Sequence, residues 1–340
     1  MKRKALARIC LGLSLTLPAT SLTGCTFGFA SDPDDPNEVV QEEPIDTSVD
    51  TFQYDTSLRG TSITLLNSKA EIQVALEKMS AEYESRSGVH VEVMTVTDGD
   101  SPYTKVVSLY NSGNPPTLSI LDTTDVIALA EEKAADLTEE PWTAEAEGYL
   151  TEVNGKVYSF PLCIEGRGII YNRTVIEETL GESFDPASIT TLADFTGLLD
   201  RLVAAGMDRP LSLAKEDWSL GAHQLQYIYE TYNGTSEGAQ EVIEQIKTGQ
   251  LDLTAYSRTN EFLDAFDVLK KYNVSAKDPL GADYDEMAID LADGKTAFWF
   301  NGNWAWPNLS EAGAENEDAY GFLPYFMNND PNDFVNQKIQ

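Results

Sequence analysis

The chain opens on a short apolar run, Ile9 to Leu17, set between Lys2, Arg3, Lys4 and Arg8 and the breaker Pro18. A run this short with basic flanks has the layout of a secretory signal peptide and not of a membrane span. Residues 26–60 are acidic and interrupted by Pro33, Pro36 and Pro44. With little to bury, residues 25–60 are expected to form a solvated tether. Periodic patterning starts near Thr61. Ile63 to Leu66 reads as a short buried strand, and Ser68-Lys69-Ala70-Glu71 has the form of a capping box. Ile72, Leu76, Met79 and Tyr83 then share one face of a helix that Gly88 stops. Val89, Val91 and Val93 alternate as a second strand, which completes a βαβ unit.

The pattern continues with a helix near Tyr103–Tyr110, a strand at Leu118–Leu121, a helix at Thr124–Lys133, and a hairpin turn at Asn154-Gly155. Gly168 to Tyr171 reads as a strand. Beyond Asn172, Thr191-Leu192-Ala193-Asp194 signals a capped helix with Phe195, Leu198, Leu199 and Leu202 as its apolar stripe. Leu211 to Leu213 is a strand, helices dominate from Gly221 to Leu291, and Thr296 to Phe300 is a further strand after the turn Asp293-Gly294-Lys295. The alternation predicts two α/β lobes. The expected division is 1–24 as signal peptide, 25–60 as tether, 61–171 as the first part of lobe 1, 172–294 as lobe 2, and 295–340 as an incomplete return to lobe 1.

Charge narrows the function. The 340 residues carry 23 Lys plus Arg against 56 Asp plus Glu, a formal net charge of −33. Such a chain lacks the basic surface that nucleic acid or an anionic bilayer requires. At 42% hydrophobic residues it can build a substantial core. Of its three cysteines, Cys10 falls in the signal peptide and Cys163 stands alone beside Phe160 and Leu162, so Cys163 is expected to be a small buried hydrophobe without a disulfide.

Several catalytic motifs fail on context. Gly234-Thr235-Ser236-Glu237-Gly238 matches a nucleophile elbow, but a helical pattern precedes it and both His90 and His223 come before the serine. Gly294-Lys295-Thr296 resembles the end of a phosphate loop, yet a strand follows it and not a helix. Two distant histidines make no zinc site, and no glycine between Asp32 and Asp55 supplies the turn of a calcium loop. No catalytic residue, cofactor or metal is expected.

Leu22-Thr23-Gly24-Cys25 resembles the lipobox of bacterial lipoproteins, which implies cleavage before Cys25 and lipid attachment to its sulfur. Three further stretches belong together. They are Gly155-Lys156-Val157-Tyr158-Ser159-Phe160-Pro161-Leu162 with Glu165 and Gly168-Ile169-Ile170-Tyr171-Asn172, then Lys215-Glu216-Asp217-Trp218, then Gly294 to Trp306. In this order they resemble the extracellular solute-binding proteins of carbohydrate ABC transporters, of maltose-binding type, from about Ile63 to Pro324.

The resemblance implies a two-lobe α/β clamp with a hinge, a sugar held in the cleft, delivery to ABC permease subunits, a monomer, and an extracytoplasmic, lipid-anchored location. It puts a cleft carboxylate at Glu165 and stacking aromatics at Trp218 and Trp304, with Asp217 and Asn301 beside them. Aromatic rings suit the C–H faces of sugars, and carboxylates and amides suit the hydroxyls. Asp122 and Thr123 end a strand and should face the crevice, as should Asn67 and Ser68 at a helix N-terminus. Each has a structural alternative. Glu165 could pair with Arg167, Asp122, Asn67 and Ser68 could cap helices, and the tryptophans could be core. A cationic ligand such as a polyamine or peptide, a surface glycan-active enzyme, and a sensory role on the same fold are the competing readings. The family continues well past the position of Pro324, which is why the return to lobe 1 is expected to be incomplete.

Overall fold

The computed structural model describes residues 54–96, 101–146, 148–216, 218–230, 232 and 234–336. The signal peptide, Cys25 and most of the tether therefore lie outside the described residues. The end of the expected tether is folded, since Gly60 N–H donates to the Gly88 carbonyl (2.7 Å).

The first sheet has three parallel strands in the order β2-β1-β3. These are β1 (Ser62–Asn67), β2 (His90–Thr95) and β3 (Leu118–Ser119). Helix α1 (Gln73–Ser87) makes the β1–β2 crossover and ends at Gly88 in the left-handed conformation (φ 74°). The capping box does not form. The Ser68 hydroxyl donates to the Ile120 carbonyl instead (2.7 Å), and Lys69 and Glu71 pair with each other. Nor is the expected apolar face buried: Met79 is 64% exposed, and Ser87 is the one buried residue of α1. The buried core beside this sheet is Leu66, Val96, Val106 and Leu129. Helix α2 (Pro102–Asn111) is capped by Ser101, whose Oγ accepts from Thr104 N–H (3.2 Å), and α3 (Thr123–Lys133) follows β3. The hairpin β4 (Glu152–Val153) and β5 (Lys156–Val157) turns at Asn154-Gly155 with positive φ at both residues (53° and 76°), as that dipeptide predicts.

The second sheet has the order β7-β8-β6-β9. Strand β6 (Arg167–Asn172) runs antiparallel to β8 (Phe298–Gly302) and β9 (Tyr320–Leu323), while β7 (Leu211–Ser212) runs parallel to β8. Helices follow as α4 (Arg173–Leu180), α5 (Leu192–Ala204), α6 (Tyr227–Glu230), α7 (Ser236–Lys247), α8 (Ser257–Tyr272), α9 (Tyr284–Ala292) and α10 (Trp306–Glu311). One sheet face buries Ile169, Phe298 and Phe300 against Phe195, Leu198, Leu199 and Leu202 of α5. The other buries Ile170 and Trp299 against Met287 and Leu291 of α9 and Leu309 of α10. Helix α5 starts where its cap signal lies, with Thr191 Oγ1 accepting from Asp194 N–H (3.1 Å).

Three sequence expectations are corrected here. Strand β6, assigned to lobe 1, is an inner strand of the second sheet. Residues 298–323 supply two more strands to that sheet, so they do not return to the first. Local periodicity identifies a strand buried on both faces but not its partner. Cys163 is exposed and not buried, because its neighbours Phe160, Leu162 and Ile164 are exposed too (59%, 54% and 69%). The serine of the nucleophile-like motif opens α7, with Thr235 Oγ1 accepting from Gly238 N–H, so the motif is a helix start.

Candidate functional site

The site assembles at strand ends. The turn after β1 is fixed by Asn67, which is fully buried. Its amide donates to the Lys69 carbonyl (2.7 Å) and to Gln73 Oε1 (3.0 Å), and its oxygen accepts from Lys69 N–H (2.9 Å). Asn67 and Ser68 thus spend their polar atoms on backbone and on Gln73, and what they present is Lys69. The Lys69 ammonium bridges Glu165 and Glu71, the latter at 3.0 Å. Burial acts to lower the Lys69 pKa, but hydrogen bonds and charge from Glu165 and Glu71 outweigh it and hold the ammonium above its ordinary range. Glu165 is therefore bound to Lys69 and not to Arg167, which pairs with Glu230 and lies over the Tyr227 ring (4.9 Å). Asp122 and Thr123 sit exposed at the start of α3, and the Asp122 carboxylate makes no cap bond there.

The aromatic part comes from the second sheet. After β7 the chain enters a π-helical segment, Trp218–Leu225, and after β8 it turns at Gly302 into Asn303–Ala305. Trp218 and Trp304 meet edge to face at 6.4 Å, with His223 against both at 5.3 and 5.1 Å. Tyr284, the first residue of α9, closes the group at 5.9 Å from Trp218. Asn301 is buried and holds Tyr284, its amide donating to the phenol oxygen (3.1 Å), while its own carbonyl accepts from Gly302 N–H (2.9 Å). Asn301 is a support for an aromatic residue in this arrangement. Asp217 lies outside the described residues.

The electrostatics follow from burial. His223 is pushed down to about 4 by burial, with the Arg167 and Lys69 charges adding to the effect, so its ring is neutral near pH 7. Tyr284 is pushed up to about 12 by burial, which Asn301 opposes and the Glu71 charge reinforces. Buried polar atoms here without a hydrogen-bond partner among the described residues include Glu216 Oε2, His223 Nδ1, both side-chain polar atoms of Gln224 and Arg167 Nε.

The structure thus brings together Trp218 and Trp304 as one aromatic group, and ties Glu165 into a Lys69-centred polar group. Sequence reasoning missed Lys69, His223 and Tyr284. Lys69 was hidden inside an apparent capping box. Tyr284 carried a usable signal, since it opens a helix directly after its cap Asp283.

The family model for bacterial extracellular solute-binding proteins matches residues 78–335. The chain belongs to that family. This solute-binding protein is 26% identical over 263 residues to a multiple sugar-binding protein of Streptococcus mutans, a match that covers 74% of this chain and 59% of the relative's length. Among solved structures it is similar to the solute-binding protein RafE in complex with raffinose (TM-score 0.64, 22% identity, 80% of this chain and 70% of that one). It is also similar to a binding protein of an ABC transporter from Bifidobacterium animalis subsp. lactis in complex with mannobiose (TM-score 0.61, 21% identity, 80% of this chain and 64% of that one). The fold of the solute-binding protein is accordingly the two-lobe α/β clamp, and its family places it outside the cytoplasm.

Proposed function

We propose that this protein captures a sugar or oligosaccharide outside the cell and passes it to an ABC importer by closing its lobes about a hinge. The observation that carries the reading is the packing of Trp218 and Trp304 with His223 and Tyr284 at strand ends of the second sheet. Aromatic faces of this kind suit the C–H surface of a pyranose, and polar side chains at their edge suit its hydroxyls. The sugar ligands of the relatives named above support the same class.

In this reading Trp218 and Trp304 contact the ligand. Glu165, Asp122, Thr123 and Asp217 are candidate polar contacts, while Asn67, Ser68 and Asn301 position their neighbours. Against a polyamine or basic peptide stands the commitment of Glu71 and Glu165 to Lys69 and of Glu230 to Arg167, which leaves Glu216 Oε2 as the buried carboxylate oxygen without a partner among the described residues. The chain works as a monomer, anchored by lipid on Cys25, and does no chemistry on its ligand. Among the described residues no helix is long and apolar enough to cross a membrane.

Thermal unfolding of the purified chain against a saccharide panel tests this. A ligand that binds the folded state stabilises it by about 2.7 kcal/mol at a hundred times its dissociation constant. A rise in midpoint with one saccharide class is expected. A cooperative transition that no saccharide moves would contradict the proposal.

A further inference from the structure

The loop after β7 holds a carboxylate that the fold itself does not satisfy. The Glu216 backbone carbonyl accepts from Ser219 N–H (3.1 Å) and Leu220 N–H (3.0 Å), which fixes the residue at the head of the π-helical segment. Its Oε2 is buried and finds no donor among the described residues. A buried carboxylate oxygen without a donor is costly, so its retention calls for a partner from outside the fold. Glu216 stands two residues before Trp218, whose ring belongs to the aromatic group, and its charge adds to the causes that raise the Tyr284 pKa.

Seven residues on, His223 repeats the situation. Its ring packs against both Trp218 and Trp304, and its Nδ1 is buried with no partner among the described residues. A neutral imidazole offers one donor and one acceptor nitrogen. The two unsatisfied groups therefore flank Trp218 in sequence and border the same cluster of rings in space.

The geometry points to Glu216 and His223 as the residues that read hydroxyl groups of the sugar stacked on Trp218, with Glu216 accepting from one hydroxyl and His223 Nδ1 bonding another. This inference rests on the sugar-binding reading and adds a selectivity to it. A buried carboxylate that accepts from a hydroxyl repels an acidic sugar at the same place. The charges of Lys69 and Arg167 reach His223, but the two cations are paired with three carboxylates, Glu71, Glu165 and Glu230. The ligand class is then neutral saccharides, with uronic acids excluded.

The test uses raffinose, mannobiose and maltotriose as neutral probes and digalacturonic acid as the acidic probe, with calorimetric binding and melting measured on each chain. The wild-type chain should bind a neutral probe and not the acidic one. Glu216→Gln and His223→Phe should each weaken the neutral probe about 10- to 100-fold, the size of a hydrogen bond to a charged or buried partner. Without ligand, Glu216→Gln should melt at or above the wild-type midpoint, because it removes an unsatisfied charge. Both variants binding within about twofold of wild type, while Trp218→Ala loses binding, would overturn the inference and leave the sugar-binding reading standing. Tight binding of digalacturonic acid by the wild-type chain would also overturn it. A Glu216→Gln chain that no longer melts cooperatively would overturn it by showing that the carboxylate serves the fold. No probe binding the wild-type chain would overturn both readings together.

Discussion

Gly302 and Trp304 are fitted to one another. The indole of Trp304 lies across the α-carbon of Gly302, so that a β-carbon at position 302 would fall inside the ring. The backbone at Gly302 is extended (φ −126°, ψ 177°) and would accept any residue. The constraint is therefore the ring alone. Gly302→Ala is expected to push Trp304 off its place beside Trp218 and His223, at a stability cost of about 1–3 kcal/mol from overpacking. Saccharide affinity and urea unfolding measured together check this. A variant with wild-type affinity would show that the placement of Trp304 does not matter to the ligand.

The acid sensitivity of the fold should trace in part to His223. Its pKa is about 4 in the folded chain against an ordinary 6.5, because burial and the charges of Arg167 and Lys69 disfavour the imidazolium. The unfolded chain takes up the proton first as pH falls. Stability is thus lost progressively below the ordinary value, and the loss is complete below the folded one. His223→Phe keeps a ring against Trp218 and Trp304 and removes the proton site. Urea midpoints at about pH 7 and about pH 4.5 should fall less for this variant than for wild type. Equal falls would contradict the assignment.

Arg258 of α8 ties the last described segment to the fold. It is 8% exposed and binds Asp333 through both terminal nitrogens (2.7 and 3.0 Å) and Glu261 (2.7 Å). Burial alone would raise the Asp333 pKa, but bonds from Arg258 and Asn328 lower it overall. The pair therefore contributes above the ordinary carboxylate range and fades as pH falls through the folded value. Arg258→Met leaves the half-buried Asp333 carboxylate without its cation, with Asn328 and Val335 N–H still donating to it, and should cost about 1–3 kcal/mol in urea unfolding. A loss below about 1 kcal/mol, the range of surface pairs, would contradict the account.

Cys163 offers a reporter beside the site. It is exposed, two residues from Glu165, and partial desolvation of its sulfur, with the Glu165 charge, pushes the thiol above its ordinary pKa. Maleimide should label it without denaturant, slowly at neutral pH and faster as pH rises. A bound saccharide should slow the labelling. A thiol that reacts only after unfolding would contradict its placement.

The elements of this protein were more legible in its sequence than their partners. The stripe Phe195, Leu198, Leu199 and Leu202 with its Thr191 cap predicts α5, and Asn154-Gly155 predicts the hairpin, because both signals are local. The pairing of β6 with β8 was not legible. The middle of each, Ile169–Tyr171 and Phe298–Phe300, is a continuous apolar run, and such a run has no polar face to indicate which sheet it joins. Trp218 and Trp304 could be named from the family pattern, and the structure places them together. Lys69 could not, since Ser68-Lys69-Ala70-Glu71 reads equally as a cap, and only the long-range bond of Ser68 to Ile120 decides otherwise. His223 stands as an isolated histidine in the sequence; the π-helical segment that turns it toward both tryptophans has no signature in residue spacing.

Trp218 and Trp304 are proposed to act as one aromatic surface for a sugar. Calorimetric titration of the wild-type chain, Trp218→Ala and Trp304→Ala with the saccharide that stabilises the wild type tests it most directly. One site per chain is expected, with a loss of about 2 kcal/mol or more, about 30-fold in affinity, for either substitution. Wild-type affinity in both variants would contradict it.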